Sequence, residues 1–275
     1  MTNLYILLTG GHTGLGLGVT KKLLQPRNKI GLIIRSEKRK DQTIGEFADF
    51  PKELVDDIDF FYADLSDQEQ VKAVAAEISE KWPRIDRLFN NAAVLGGSEK
   101  GRMWSKQGNE WHYEVNALAP YLLTTELKSL LENSNDAKVI TTVTEGMDRR
   151  EISTTQIFDK AYARTMSNYA MSKTAAMFLM NDLAEDWDGI KFLSVNPGAN
   201  RTPMTQEGNT PWIIKKILSL FFSDPSVGTQ RIYNAGFDAS FADSNGVFIN
   251  KDKIVPIKPT MSADQKSQLL AGIKV

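Results

Sequence analysis

Near the amino end the chain reads Thr9-Gly10-Gly11-His12-Thr13-Gly14-Leu15-Gly16, and this turn constrains the fold more than any other stretch. It is entered from a short apolar run, Leu4 to Leu8, and left through a segment of helical period, Leu15 to Leu24. Glycines permit the tight turn and let main-chain amides approach a phosphate without a Cβ in the way. The helix that follows adds partial positive charge at its first turn, so strand, glycine turn and helix together make an anion site. Leu4–Leu8 is too short for the core of a signal peptide, and Leu4–Thr9 reads as a buried strand of a cytoplasmic protein.

Further strand and helix signals alternate along the chain. Gly31–Ile34, Asp59–Ala63, Arg87–Asn90, Lys138–Val143 and Phe192–Asn196 are short runs rich in branched, aromatic and threonine residues. Ser66 and Glu69 have the spacing of a capping box. Behind them Val71, Val74, Ala75 and Ile78 repeat at helical spacing, one apolar stripe facing a sheet. The strands are continuously apolar, which means burial on both faces. No repeat, linker or low-complexity tract interrupts residues 1–275, so the fold class expected is α/β: one domain with a doubly wound parallel sheet of the Rossmann type, helices on both faces.

Composition removes several chemistries. With 33 basic and 34 acidic residues the net charge is −1, which gives no reason to expect nucleic acid or an anionic membrane as partner. Cysteine is absent and only His12 and His112 carry imidazoles. A disulfide, a cysteine nucleophile, a Ser-His-Asp triad and a metal site lack raw material, and no metal is expected. His12 reads as a tolerated loop residue and His112 as a packing residue.

The second strand selects the cofactor. An acid at its end would accept from the ribose hydroxyls of NAD, and an arginine would grip the extra phosphate of NADP. Here Arg35-Ser36 ends the strand, and the first carboxylate is Glu37. Arg35 can pair with the phosphate and stack on adenine, and Ser36 can donate, so NADP(H) is expected over NAD(H).

At this point the chain resembles the short-chain dehydrogenase/reductase family. The turn has that family's Thr-Gly-x-x-x-Gly-x-Gly spacing. Asp64-Leu65 looks like its adenine-contacting pair, and Asn90-Asn91-Ala92-Ala93 like its Asn-Asn-Ala-Gly motif with alanine last. Asn116 falls where the family has its active-site asparagine. Tyr169-Ala170-Met171-Ser172-Lys173 is similar to its Tyr-x-x-x-Lys signature, and Pro197-Gly198 followed by Thr202 to its nicotinamide-side loop. The long step from Thr144 to Tyr169, with Phe158-Asp159-Lys160, resembles the retinol-dehydrogenase-like branch, as does the ending from Asn245 to Pro256.

The resemblance implies hydride exchange between NADP(H) and a carbonyl/alcohol pair. Tyr169 would exchange the proton. Lys173, four residues on and on the same helical face, would tune it and bind the ribose. Asn116 would hold a water linking Lys173 to solvent. Gly10, Thr13, Gly14, Leu15, Gly16, Arg35, Ser36, Asp64, Leu65, Asn91, Ala92, Ala93, Thr142, Pro197, Gly198 and Thr202 would bind cofactor with Tyr169 and Lys173. Thr144 departs from the family's serine, keeping the hydroxyl and adding a methyl. Thr142 is the alternative if the register slips.

Residues from about 200 to 225 would cover the substrate. The apolar helix Trp212–Phe222 favours an apolar small molecule, although it could equally pack on the core or rest on a membrane surface. Family members usually dimerise through the helices near Trp111–Leu131 and Tyr169–Trp187. A rival expectation is a non-catalytic NADP(H)-binding regulator or redox sensor, prompted by Thr144, Glu145 and Ala93.

Overall fold

In the computed structural model, residues 4–95, 104–146, 149–158, 165–200 and 223–274 are described. Leu4–Thr9 is strand β1 and Gly14–Leu23 is helix α1. Then follow β2 (Asn28–Ile34), α2 (Glu37–Gly45), α3 (Lys52–Asp56), β3 (Asp59–Tyr62), α4 (Gln68–Lys81) and β4 (Arg87–Asn90). A single turn, α5 (Trp111–Tyr113), runs through a π-helical segment, Glu114–Leu118, into α6 (Ala119–Glu126) and α7 (Lys128–Glu132). The chain continues as β5 (Ala137–Thr142), α8 (Thr154–Phe158), α9 (Thr165–Asp186), β6 (Ile190–Asn196), α10 (Pro225–Phe237), β7 (Val247–Asn250), β8 (Lys253–Val255) and α11 (Ala263–Leu270).

The eight strands form one sheet in the order β3-β2-β1-β4-β5-β6-β7-β8, parallel except for β8. Ile6, Leu7 and Leu8 in β1 are all fully buried, and the pleat sends them to opposite faces. Leu7 packs with Val71, Val74, Ala75 and Ile78, the expected stripe of α4. Ile6 and Leu8 pack with Val19 and Leu23 of α1 and Ile232 and Ala235 of α10. A continuously apolar strand is what two helix-covered faces require, and each such side chain contributes about 1.5–3 kcal/mol on burial.

Two local expectations change. Asp67, not Ser66, caps α4: its carboxylate accepts from the Glu69 amide at 3.1 Å, while the Ser66 hydroxyl turns back to Asp64. A carboxylate one residue later outcompetes the hydroxyl because it is the stronger acceptor at a positive helix end. The hairpin β7–β8 also appears where the sequence offered no strand period; these strands are short, and the second is largely exposed.

The sheet order reverses between β1 and β4, which opens a crevice at their carboxyl ends, the usual ligand site of such sheets. Register then aligns the crevice rim: Thr9 lies opposite Asn90, Asn90 opposite Thr141, and Thr141 opposite Ser194. No helix among the described residues is long and apolar enough to cross a membrane.

Candidate functional site

The glycine turn emerges from β1 directly against the chain leaving β4. Gly10 has φ +66°, and a Cβ there would sit 2.8 Å from Ala92 Cα. The Thr9 hydroxyl accepts from the amides of Asn91 and Ala92, both at 3.1 Å. Asn91 returns the contact, donating from Nδ2 to the Gly10 carbonyl at 3.3 Å. Inside the turn, Thr20 of α1 donates to the Gly11 carbonyl at 2.8 Å. Thr13 precedes α1 without a side-chain cap, so the first-turn amides at Gly14, Leu15 and Gly16 are left for another acceptor. An uncapped helix end, a positive-φ glycine and a cradle a Cβ would fill are what a dinucleotide pyrophosphate requires.

At the carboxyl end of β2, where the adenine is expected, Arg35 and Ser36 are both exposed. Ser36 precedes α2, again without a side-chain cap. Glu37 is drawn away from this position by the Tyr62 hydroxyl and by Lys40 at 3.0 Å. At Asp64, one carboxylate oxygen receives the amide and hydroxyl of Ser66, at 3.0 and 2.8 Å. Leu65 packs partly into the core face served by α4. His12, in the glycine turn, is held to a pKa of about 4 by burial, then by the charges of Arg39 and Arg35.

The residues expected to be catalytic are carried mainly by α9 and the π segment. Asn116 lies in the widened turn, a feature often found at functional sites. Its Oδ1 accepts from the Val94 amide at 2.8 Å, and its Nδ2 donates to the Val94 carbonyl at 3.1 Å and to Ser172 Oγ at 3.0 Å. Both donors are therefore spent, and a water held by Asn116 would use its remaining oxygen lone pair. Ser172 donates onward to the Tyr169 carbonyl at 2.7 Å, which ties Asn116 to the turn carrying the tyrosine.

Lys173 is 3% exposed, and its ammonium donates to the Thr142 carbonyl at 2.7 Å, its one hydrogen bond among the described residues. Burial brings its pKa down to about 7. Burial likewise pushes the Tyr169 phenol up. The sequence expectation was a phenol lowered by its ammonium neighbour; at both groups desolvation opposes the charged form. Thr142 turns its own hydroxyl to the carbonyls of Asn90 and Asn91, at 3.4 and 3.3 Å. Thr144 is half-buried just beyond β5, and its hydroxyl meets no described partner. Glu145 beside it faces Lys251 at 3.6 Å and is mainly exposed.

On the far side of the crevice Gly198 has φ +86°, and its amide donates to the Asn196 side chain at 2.9 Å. Arg231 of α10 donates to the Pro197 carbonyl at 3.1 Å while pairing with Asp252 at 2.9 Å. Thr202 and nearly all of the expected substrate cover, 201–222, lie outside the described residues, as does Asp159. Two supporting residues escaped the sequence reading. Ser172 occupied a variable slot of the Tyr-to-Lys motif, where a hydroxyl three residues after Tyr169 was the available signal. Arg231, over thirty residues from the loop it anchors, gave none.

His112 is buried, as expected of a packing residue, and its Nδ1 lies 2.7 Å from the Glu110 carboxylate. No group of metal-ligating side chains occurs among the described residues.

The family model described as short chain dehydrogenase matches residues 4–211. Retinol dehydrogenase 14 of Homo sapiens is 24% identical over 248 residues, covering 82% of this chain and 71% of that protein. Among solved structures, NADPH-bound carbonyl reductase from chicken fatty liver superposes with a TM-score of 0.67 at 20% identity, over 93% of this chain and all of that one. A 3-ketoacyl-(acyl-carrier-protein) reductase from Brucella melitensis, complexed with NADH, gives 0.66 at 17% identity, over 90% and 96% of the two chains.

Proposed function

The chain belongs to the short-chain dehydrogenase family, and from that premise we propose that it is an NADP(H)-dependent oxidoreductase acting on a carbonyl/alcohol pair of apolar character. When bound, the nicotinamide supplies or accepts the hydride. The chain's own residues orient the reactants and handle the proton. The amides at the start of α1 hold the pyrophosphate, and Gly10 and Gly16 let it approach. Lys173, with two N–H donors left over, takes the nicotinamide ribose hydroxyls. Tyr169 carries the proton at its hydroxyl, and Thr144 donates to the substrate oxygen. Asn116 and Ser172 position this turn of α9. The chain acts as one cytoplasmic domain, and a homodimer is the expected assembly.

Lys173 carries this reading. A buried amine whose one hydrogen bond among the described residues goes to a carbonyl is costly for a protein to keep, because the charged form loses hydration without full repayment. The expense is understandable where a hydroxyl-bearing ligand completes its shell.

Fluorescence titration of the purified protein with NADPH and with NADH tests the cofactor assignment. NADPH should bind tightly and NADH weakly, and equal affinity would refute the preference. Arg35→Ala should weaken NADPH about 10- to 100-fold, as expected for a lost charge-assisted contact, and leave NADH unchanged. Thr144→Val keeps the shape and removes the donor. Turnover should fall about 10²- to 10³-fold with the NADPH dissociation constant held within about twofold, and undiminished turnover would refute Thr144 as the substrate donor.

A further inference from the structure

The π segment that carries Asn116 begins with a carboxylate that solvent does not reach, since Glu114 is fully buried. Its Oε1 accepts from Gln68 Nε2 of α4 at 2.9 Å, and its Oε2 accepts from Ser105 Oγ and Asn109 Nδ2, both at 2.7 Å. Gln68 Nε2 and Asn109 Nδ2 each give a second hydrogen to the Gly272 carbonyl, at 2.9 and 2.6 Å. Both side-chain amides have then spent their N–H donors. Gln68 Oε1 in turn accepts from the Lys274 amide at 2.7 Å. One residue before Glu114, the Tyr113 hydroxyl donates to the Leu269 carbonyl at 2.6 Å. At the other end of the π segment, a Cβ on Gly272 would fall 2.7 Å from Leu118 Cδ1. Residues 269–274 therefore grip the π segment at both ends, with Asn116 between.

A carboxylate buried among neutral donors is expensive, and burial pushes the Glu114 carboxyl up while its three donors oppose that shift. An apolar side chain would fill the same space at lower cost. What the network adds is direction: a widened helical turn can close in more than one way, and a fully connected set of buried hydrogen bonds admits one. We propose that Glu114 and Gln68 are positioning residues which, with residues 269–274 as a strap, hold the π segment in the register that sets Asn116 against Val94 and Ser172. The inference rests on the reading of Asn116 as part of the proton-handling turn. It goes beyond that reading by making the turn depend on a distant stretch of chain that contributes no group to the chemistry.

Two substitutions test it. Gln68→Met keeps the side-chain length and removes both the donors and the acceptor. Lys274→Pro removes only the amide that Gln68 accepts, at an exposed position, so it decides the matter even where Gln68→Met does not fold. Gln68→Met should lower kcat about 10- to 100-fold and Lys274→Pro about 3- to 10-fold, the scale of a displacement up to about 1 Å, with KM and the NADPH dissociation constant within about twofold. Amide hydrogen exchange supplies a readout apart from activity. The Val94 amide, which donates to Asn116 Oδ1, should exchange faster in both variants although neither substitution touches it. Unchanged Val94 exchange in Lys274→Pro overturns the strap, and faster exchange with unchanged kcat overturns the positioning role. If wild type turns over no carbonyl or alcohol, the reading of the function fails instead, and Val94 exchange still decides for or against the strap.

Discussion

Tyr169→Phe should lower turnover about 10²- to 10⁴-fold, the usual contribution of a positioned proton donor, while NADPH binds within about twofold of wild type. The substitution removes one oxygen from a ring that α9 holds in place, and the contacts that shape the turn survive it. Ser172 reaches the Tyr169 carbonyl, not the phenol, and Lys173 bonds Thr142. Burial keeps the phenol protonated through neutrality. Carbonyl reduction, which consumes that proton, should therefore hold level as pH rises through 7 to 9. Alcohol oxidation needs the phenolate and should climb across the same range. A steady-state assay in both directions against pH, on wild type and variant, reads all of this. Turnover retained in the variant would remove Tyr169 from the chemistry. A wild type with no turnover on a broad set of carbonyls and alcohols, yet tight NADPH binding, would favour a cofactor-binding regulator.

The strands of this fold were legible because they are buried on both faces. Leu4–Thr9 and Arg87–Asn90 match their observed bounds, since a parallel strand under two helix layers has no polar alternation to blur its ends. The hairpin Val247–Val255 was not legible as strands: it sits at the sheet edge, partly exposed, with a turn held open by Lys251 at φ +61°. The same reasoning divides the site. Gly10, Asn91, Asn116, Tyr169 and Lys173 lie within short contiguous motifs, so spacing carries them. Ionisation is different in kind. The opposition between burial and attraction at Tyr169 and Lys173, and the charges acting on His12, depend on residues brought together from separate elements, which spacing does not encode.

Gly16→Ala should abolish measurable cofactor binding by lowering affinity at least about 100-fold, with a smaller loss of stability. An added Cβ would fall on the Gly10 carbonyl oxygen and on Nδ2 of Asn91. Neither neighbour can yield cheaply. The Gly10 carbonyl belongs to the turn itself, and Asn91 is tied by its amide to Thr9 and by its side chain to Gly10. Relief therefore comes by pushing the turn away from α1, and a displacement near 1 Å is enough to cost about 10² in a site that depends on aligned amides. The stability cost is that of overpacking, about 1–3 kcal/mol, which for a chain of this size lowers the melting temperature by several degrees, not by collapse. Thermal unfolding with and without NADPH separates the two effects. The variant should melt slightly below wild type and lose the shift that NADPH produces. A variant that keeps the full NADPH-induced shift would show that the pyrophosphate does not rest on this turn, and the placement of the cofactor would fall with it.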